Sequence, residues 1–331
     1  MTRKLGLRYI WVDALCIIQD DNNDNTHELS KMAKIYAGSR LVISAASAKR
    51  SNDGFLRARN IPSLYSSLYE IPFHLQGTKS GSIILAEGCI QNKGEPIDNR
   101  AWIWQEYLLP TRMLKYGSKQ IEWRCLEMYK IDGGSSLREA PSVLNQLIDS
   151  PSDVDNILYG EISFSNDQFR ELLPIWFDFI KEYSGRELIY LSDRLPAFAA
   201  IAERFAHVME WDSSKYCAGL WRYDLIQQLC WHRPIEGLFL GISNPACPSW
   251  SWASLQGPVE FDTHDWGKGS LKIVSCSVKL KSPHVPFGEV KSGSLVVDGY
   301  LGKVYFRKDG SVLVSSNSTC GPNIDLPIKC L

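Results

Sequence analysis

Residues 7–18 are the stretch that most constrains the fold of this chain. They form a nearly continuous run of β-branched and aromatic side chains, Leu-Arg-Tyr-Ile-Trp-Val-Asp-Ala-Leu-Cys-Ile-Ile. Such a run is typical of a strand buried on both faces of a parallel sheet. Asp13 interrupts the run, and two interpretations of it stay open. It lies at the carboxyl end of the strand, where open α/β sheets bind ligands, or it is an acid that caps a helix or turn.

The segments that follow predict an α/β fold. A helix is predicted from Asn25, where Glu28 three residues later resembles a capping box, to Gly38. A second buried strand is predicted at residues 40–45. Residues 7–46 therefore predict a βαβ unit with a right-handed crossover, and hence a mostly parallel sheet flanked by helices.

Residues 99–112 hold two Trp, a Gln, a Glu and two Arg, and they predict a helix from about Arg100 that Pro110 ends. Trp102, Glu106 and Leu109 fall at i, i+4 and i+7, so they are predicted to share an inward-facing stripe. A carboxylate against indole surface is costly to desolvate unless it is paired or takes part in chemistry. Glu106 is therefore either an ion-pair partner of a neighbouring arginine or a functional acid.

The rest of the chain predicts five further parts. A Gly-containing turn between two apolar runs predicts a β-hairpin, and two short strands and a Ser-, Gly-, Asp- and Pro-rich linker follow before a helical region and an antiparallel β tail. In chain order these are residues 68–73 with 82–86, 112–116 with 120–125, the linker 126–165, helices at 169–183, 192–206 and 218–229, and strands beyond 246.

Composition excludes several partners. The chain has 36 Lys and Arg against 37 Asp and Glu, so its charge attracts neither nucleic acid nor an anionic membrane. No run reaches the roughly 18 apolar residues of a membrane span, and no signal peptide precedes residue 7. Nine Cys are scattered without paired spacing, as in a protein whose thiols stay reduced. We therefore expect a cytoplasmic location.

Short motifs indicate no resident cofactor. The six His are too dispersed along the chain to predict a metal site. The chain has no P-loop, no GxGxxG, no GxSxG and no HExxH.

Three blocks in order resemble the fungal heterokaryon incompatibility (HET) domain. They are Tyr-Ile-Trp-Val-Asp-Ala-Leu-Cys-Ile-Ile-Gln-Asp-Asp from residue 9, Met-Ala-Lys-Ile-Tyr with Val-Ile-Ser-Ala from residues 32 and 42, and Asn-Arg-Ala-Trp-Ile-Trp-Gln-Glu-Tyr-Leu-Leu with Ile-Glu-Trp-Arg-Cys from residues 99 and 121. Later segments beginning at residues 190, 218 and 248 resemble the portion that commonly follows this domain in filamentous fungi.

The resemblance implies a domain organisation and a fold. It implies a partial HET domain at 1–125, the linker 126–165, a helical region at 166–245 and a β-rich C-terminal region at 246–331. The fold would be Toll/interleukin-1 receptor-like and incomplete at the N-terminus, because the family's usual upstream Leu-Ser-Tyr/His-x-Trp-Gly strand and its helix are absent. Trp104 and Tyr107 also stand where the family more often has a smaller apolar residue and an Arg.

The resemblance also implies a function. It implies a signalling module in self/non-self recognition and programmed cell death, which associates with copies of itself or with other proteins. A first alternative is NAD cleavage, with NAD as substrate, because related domains use a glutamate that follows a Trp at the spacing of Trp102 and Glu106. In that alternative Glu106 is catalytic, and Trp102, Asp13 and Arg100 bind NAD. A second alternative is a biosynthetic enzyme built on the same scaffold.

Overall fold

The computed structural model describes residues 2–56, 68–75, 79–86, 94–132, 136–137, 164–234, 243–262, 271–299, 304–306 and 312–314. The chain divides into two compact units. One unit is Tyr36–Pro151, and the other, which we call the second unit, combines Met1–Ile35 with Ser152–Leu331.

The α-helices of the described residues are α1 (Asp13–Cys16), α2 (Asn22–Leu29), α3 (Met32–Gly38), α4 (Ile103–Leu108), α5 (Asn166–Ser184), α6 (Ala199–Val208) and α7 (Leu225–Gln228). The strands are β1 (Val42–Ser44), β2 (Leu68–Leu75), β3 (Lys79–Ala86), β4 (Arg112–Tyr116), β5 (Ile121–Cys125), β6 (Tyr129–Ile131), β7 (Ser136–Leu137), β8 (Tyr216–Cys217), β9 (Leu220–Trp221), β10 (Trp231–His232), β11 (Glu260–Phe261), β12 (Lys272–Leu280), β13 (Val290–Asp298), β14 (Val304–Phe306) and β15 (Val312–Val314).

The largest sheet belongs to the 36–151 unit and has the order β1-β4-β5-β6-β7. β1 runs parallel to β4, whereas the other neighbours are antiparallel. The fold is therefore mixed α/β, and the prediction of a mostly parallel sheet is wrong. Short turns connect β4, β5 and β6, and such turns can only join antiparallel strands.

The prediction that residues 7–18 form a buried strand is also wrong. Residues 7–12 lie outside any described strand, and α1 follows them, with the Cys16 N–H donating to the Val12 carbonyl at 2.8 Å. Tyr9 and Leu15 are each 82% exposed. In the helical turn, backbone groups bond to each other, whereas in a strand they would need neighbouring strands as partners. The predicted βαβ unit therefore does not form.

The helix predicted from Asn25 is divided in two. α2 begins three residues earlier than predicted, and α3 ends at Gly38 as predicted. Between them the Ser30 hydroxyl donates to the His27 carbonyl at 2.6 Å, and this bond competes with helical continuation.

The antiparallel elements predicted from local turns are confirmed. β2 pairs with β3, and β4 pairs with β5 from Arg112 opposite Cys125 to Tyr116 opposite Ile121. The antiparallel β tail is present as the β12–β13 and β14–β15 hairpins.

The aromatic core of the second unit is built by α5 and α6. A capping box of Ser165 and Gln168 begins α5, and Pro174 lies inside the helix. Trp176 contacts Phe205 of α6 at 5.0 Å between ring centroids, and both are fully buried. Such ring pairs stabilise a core beyond their buried area.

Two predicted helices of this region are shorter in the structure. Residues 191–198 form two 3-10 helices before α6 begins at Ala199. The helix predicted at 218–229 is only α7, because Ala218 and Gly219 have φ values of 48° and 96° and form the tight turn between β8 and β9.

Candidate functional site

The candidate site is centred on α4, the helix that carries the predicted acid. Trp104 and Leu108 are fully buried, Ala101 is 1% exposed and Leu109 is 4% exposed. These positions, i, i+3, i+7 and i+8, are the inward-facing stripe of the helix. The prediction that Trp102 faces inward is therefore wrong, because Trp104 is the buried tryptophan and Trp102 is half-buried.

Trp102 cannot share the buried face with Trp104 because of the angle between their positions around the helix axis. Trp102 and Trp104 are two residues apart, so on a helix their side chains point about 200° apart and only one can face the core. The neighbouring Gln105 is 1% exposed and lies with Trp104 on the inner side, so the core side of α4 includes a polar residue.

An arginine from the sheet holds the C-terminal end of α4. The Arg124 guanidinium of β5 donates through Nη2 to the carbonyl of Tyr107, and to the carbonyl of Pro110 at 3.4 Å. Arg124 is 8% exposed. A buried cation at a helix C-terminus satisfies carbonyls that the helix leaves unpaired and complements its dipole. Arg124 therefore fixes α4 against the sheet.

Tyr107 lies between two cations. The Arg124 Cζ atom is 4.5 Å and the Lys115 Nζ atom 5.8 Å from the centroid of its ring, distances that allow cation–π attraction. Burial raises the pKa of the Tyr107 hydroxyl, although Arg124 and Lys115 oppose the shift. The ring therefore stays a neutral phenol at physiological pH.

Acids neutralise the cations of this cluster. Lys115 Nζ is 3.0 Å from Asp98 Oδ1. Lys115 of β4 also lies directly opposite Glu122 of β5 in the sheet. Burial lowers the pKa of Lys115, whereas Glu122, Asp98 and Tyr107 raise it. Their combined effect is larger than that of burial, so the pKa of Lys115 lies above its usual value. We name Asp98, Tyr107, Lys115, Glu122 and Arg124 the Tyr107 cluster. The formal charges of its two positive and two negative side chains cancel.

A second carboxylate ties the segment before α4 to the turn between β4 and β5. Glu95 is 3% exposed, and its Oε1 accepts the backbone N–H of Ser118 at 2.6 Å and the Ser118 hydroxyl at 2.7 Å. Charge-assisted bonds of this length are stronger than bonds between neutral groups. Both ends of the α4 region are therefore anchored by charged side chains.

The structure places the predicted site residues as follows. Trp102 and Glu106 are half-buried, and the backbone at Trp102 is already helical at φ −60° and ψ −32°, so the predicted four-residue spacing lies on one turn of helix. Arg100 is exposed and precedes that turn. These three residues belong to the 36–151 unit, and Asp13 belongs to the other unit.

Asp13 is not at the end of a strand. It is the first residue of α1 and is exposed, and its Oδ1 accepts the N–H of Ala14 at 2.7 Å. The predicted strand-end position is wrong. Asp13 lies in a helical turn, but the alternative of a capping acid is not confirmed, because the N-cap is Val12 and no side chain caps this helix.

Chemically, the site presents a carboxylate and an indole on a rigidly held turn. Packing of Trp104 and the bonds of Arg124 fix the backbone from which Trp102 and Glu106 project. A partly exposed carboxylate in a fixed position can accept hydrogen bonds or stabilise developing positive charge. A partly exposed indole can stack on a planar ligand or pack against a protein partner.

Sequence reasoning missed the residues that hold the site. Asp98, Lys115 and Glu95 are distant in sequence from the contacts they make, and no spacing marks them. Arg124 lies in a block that resembles the HET domain, but nothing in that block predicts its contact with α4.

The protein has a mixed α/β fold, and its candidate site is the helical turn of α4. Residues 1–106 of the 331-residue chain match the family described as Heterokaryon incompatibility protein (HET). This match supports a heterokaryon incompatibility-type protein. No curated protein matches the chain, and no solved structure matches it.

Two features are absent from the described residues. None of the described helices is long and apolar enough to cross a membrane. Within the same residues, His, Cys, Asp and Glu side chains form no group of three or more that could hold a metal ion.

Proposed function

We propose that this protein is a heterokaryon incompatibility-type signalling module that acts in self/non-self recognition through association with a second copy of itself. The observation that carries the proposal is the match of residues 1–106 to the HET family. The proposed consequence of association is programmed cell death in the fungal cytoplasm.

Exposed apolar side chains near the N-terminus support association. Tyr9 and Leu15 are each 82% exposed, Ile10 is 68% exposed and Ile18 is 55% exposed. These four side chains lie in one ten-residue stretch inside the matched region. Large apolar side chains grouped on a surface mark interaction sites, because burying them against a partner releases water. The formal net charge of −1 leaves little repulsion between two copies.

Light scattering on the full chain tests self-association. We expect the weight-average mass to rise toward that of a dimer as concentration increases from about 1 to 100 µM, the range of a micromolar dissociation constant. The double variant Tyr9→Ser/Leu15→Ser should stay monomeric, because it removes the apolar surface without touching a core residue.

The control is a double variant of equal exposure elsewhere. Ile189 and Tyr190 are 88% and 68% exposed, and Ile189→Ser/Tyr190→Ser should associate like the wild type. Expression of the three forms in fungal cells, with counts of dead cells, then relates association to function. A wild type that is monomeric at every concentration, or a control that dissociates equally, would contradict the proposal.

A second candidate function is NAD cleavage by Glu106. The helical turn that joins Trp102 to Glu106 favours it, because both side chains are partly accessible on one firmly held turn. Breaking the nicotinamide–ribose bond develops positive charge on the sugar, as glycoside hydrolysis does, and a nearby carboxylate stabilises that charge. Trp102 would stack on the base, and Arg100 would contact the phosphates.

An assay of NAD loss with purified full chain tests this candidate. Glu106→Gln removes the charge but keeps the shape, and the rate should fall about 100-fold, as for loss of one electrostatic stabiliser. Glu127→Gln, an exposed acid of the same unit, should leave the rate unchanged. Equal rates in the wild type and Glu106→Gln, or no NAD loss in either, would exclude the candidate and leave the signalling proposal intact.

A further inference from the structure

Two cysteines that are distant in the chain meet in the second unit. Cys217 ends β8, Cys276 lies in the middle of β12, and these two strands are neighbours. Cys217 is fully buried and Cys276 is 6% exposed. Each thiol shifts the pKa of the other, so the two side chains lie close together between these contacting strands.

The two sulfur atoms are chemically unequal. A hydrogen bond between the two thiols, followed by burial, raises the pKa of Cys217, so Cys217 keeps its proton and donates it. The same bond lowers the pKa of Cys276, and the positive charge of Arg222 adds to this effect against the opposing burial. A thiolate is the form that reacts with oxidants, so Cys276 is the reactive member and Cys217 the resolving one.

Other described cysteines lack this arrangement. Burial raises the pKa of Cys247 to about 12, and its Sγ accepts a hydrogen bond from Asn244 Nδ2 at 3.3 Å instead of facing a thiol. Burial also raises the pKa of Cys230. These two residues are therefore the natural controls.

The pair joins two parts of the second unit. β8 leads into the turn at Ala218 and Gly219, whose carbonyls accept the Ser251 hydroxyl at 2.5 Å and Trp252 Nε1 at 2.9 Å. β12 belongs to the hairpin with β13. A covalent bond between the two thiols would tie the fixed turn to the C-terminal hairpin across a long stretch of chain.

We propose that Cys217 and Cys276 are a redox-sensitive pair that closes into a disulfide when the protein meets a peroxide. The Cys276 thiolate attacks one peroxide oxygen, the O–O bond breaks, and Cys276 becomes a sulfenic acid as the other oxygen leaves as hydroxide, which takes up the proton that the Cys276 thiol had released and becomes water. The Cys217 sulfur then attacks the Cys276 sulfur, the S–S bond forms and a second water leaves. Two thiols lose two electrons, and one hydrogen peroxide is reduced to two waters.

The test uses the full chain treated with hydrogen peroxide, denatured, alkylated with iodoacetamide and digested for mass spectrometry. We expect a peptide that links Cys217 to Cys276, the loss of two free thiols, and recovery of both with dithiothreitol. The oxidised protein should have a Tm about 5 °C higher, because the disulfide restricts the unfolded chain.

Variants separate the two sulfur atoms. Cys217→Ser should accumulate a sulfenic acid at residue 276 that dimedone traps, Cys276→Ser should form neither product, and Cys247→Ser should behave like the wild type. The wild-type digest decides the question even where a variant does not fold. A link to a different cysteine, or oxidation of Cys276 without any link, would overturn the proposal.

Discussion

At the scale of single residues, Arg194 shows most directly how polar groups are satisfied in this core. It is 1% exposed, and its guanidinium donates to the carbonyls of Ser184 at 3.2 Å and Gly257 at 2.8 Å. The Cζ atom lies 5.2 Å from the centroid of the Trp252 ring. Burial lowers the pKa of Arg194 to about 10, which still leaves it charged at neutral pH.

Replacing this buried cation should be costly. Arg194→Met keeps the stem but leaves the two carbonyls without their donors, so we expect the free energy of unfolding to fall by about 2 to 3 kcal/mol. Urea denaturation measures the change. Arg170→Met is the control, because the Arg170 side chain is 78% exposed and its pair with Asp224 should contribute less than about 1 kcal/mol. Equal stability of Arg194→Met and wild type would show that the core does not need the guanidinium.

At the scale of elements, α5 links helix packing to pH through Glu182. Burial raises the pKa of this carboxyl above 4.5, and the nearby Arg186 and Lys181 only partly oppose it. Between the unfolded and folded pKa values the folded state therefore binds more protons than the unfolded state. Stability is highest below about pH 4.5 with respect to this group, and it falls as pH rises through the folded pKa.

Glu182→Gln should remove that fall. The variant and wild type should unfold at the same urea concentration at pH 4, and at pH 7 the variant should be more stable by less than about 1 kcal/mol, since the residue is only half-buried. Glu171→Gln replaces an exposed acid of the same helix and should follow the wild type at both values. A wild type that is more stable than Glu182→Gln at pH 7 would reverse the sign and refute the argument.

The elements that could be predicted from the sequence are those whose partners are close in the chain. The β2–β3 and β4–β5 hairpins and the helices α5 and α6 depend on local turns and a 3.6-residue period, and the structure contains all of them. A run such as residues 7–18 is different, because an apolar run becomes a buried strand only if distant strands pair with it. Nothing in the run itself states whether they do.

The same distinction applies to the candidate site. The spacing of Trp102 and Glu106 was predicted because it lies within one turn, whereas the choice of Trp104 as the buried indole depends on the sheet beneath. The contact of Arg124 with the end of α4 joins residues 14 and 17 positions apart, and no local pattern encodes it.

At the scale of the whole molecule, the compact units do not follow the matched region. Residues 1–106 match the HET family, yet 1–35 belong to the same unit as 152–331, and 36–106 share the other unit with β4 to β7. Self-association, if it uses Tyr9 and Leu15, would therefore involve the unit that also contains the aromatic core and the paired thiols.

That interleaving determines how the protein can be dissected. A fragment cut after residue 106 would leave β1 without its only described neighbour, β4, and would end inside α4, before the Tyr107 and Pro110 carbonyls that Arg124 contacts. It would also separate α1 and α2 from α5, α6 and α7 of their unit. Loss of signalling in such a fragment would thus report a broken scaffold, and only point substitutions in the intact polypeptide can assign activity to the family-matching part.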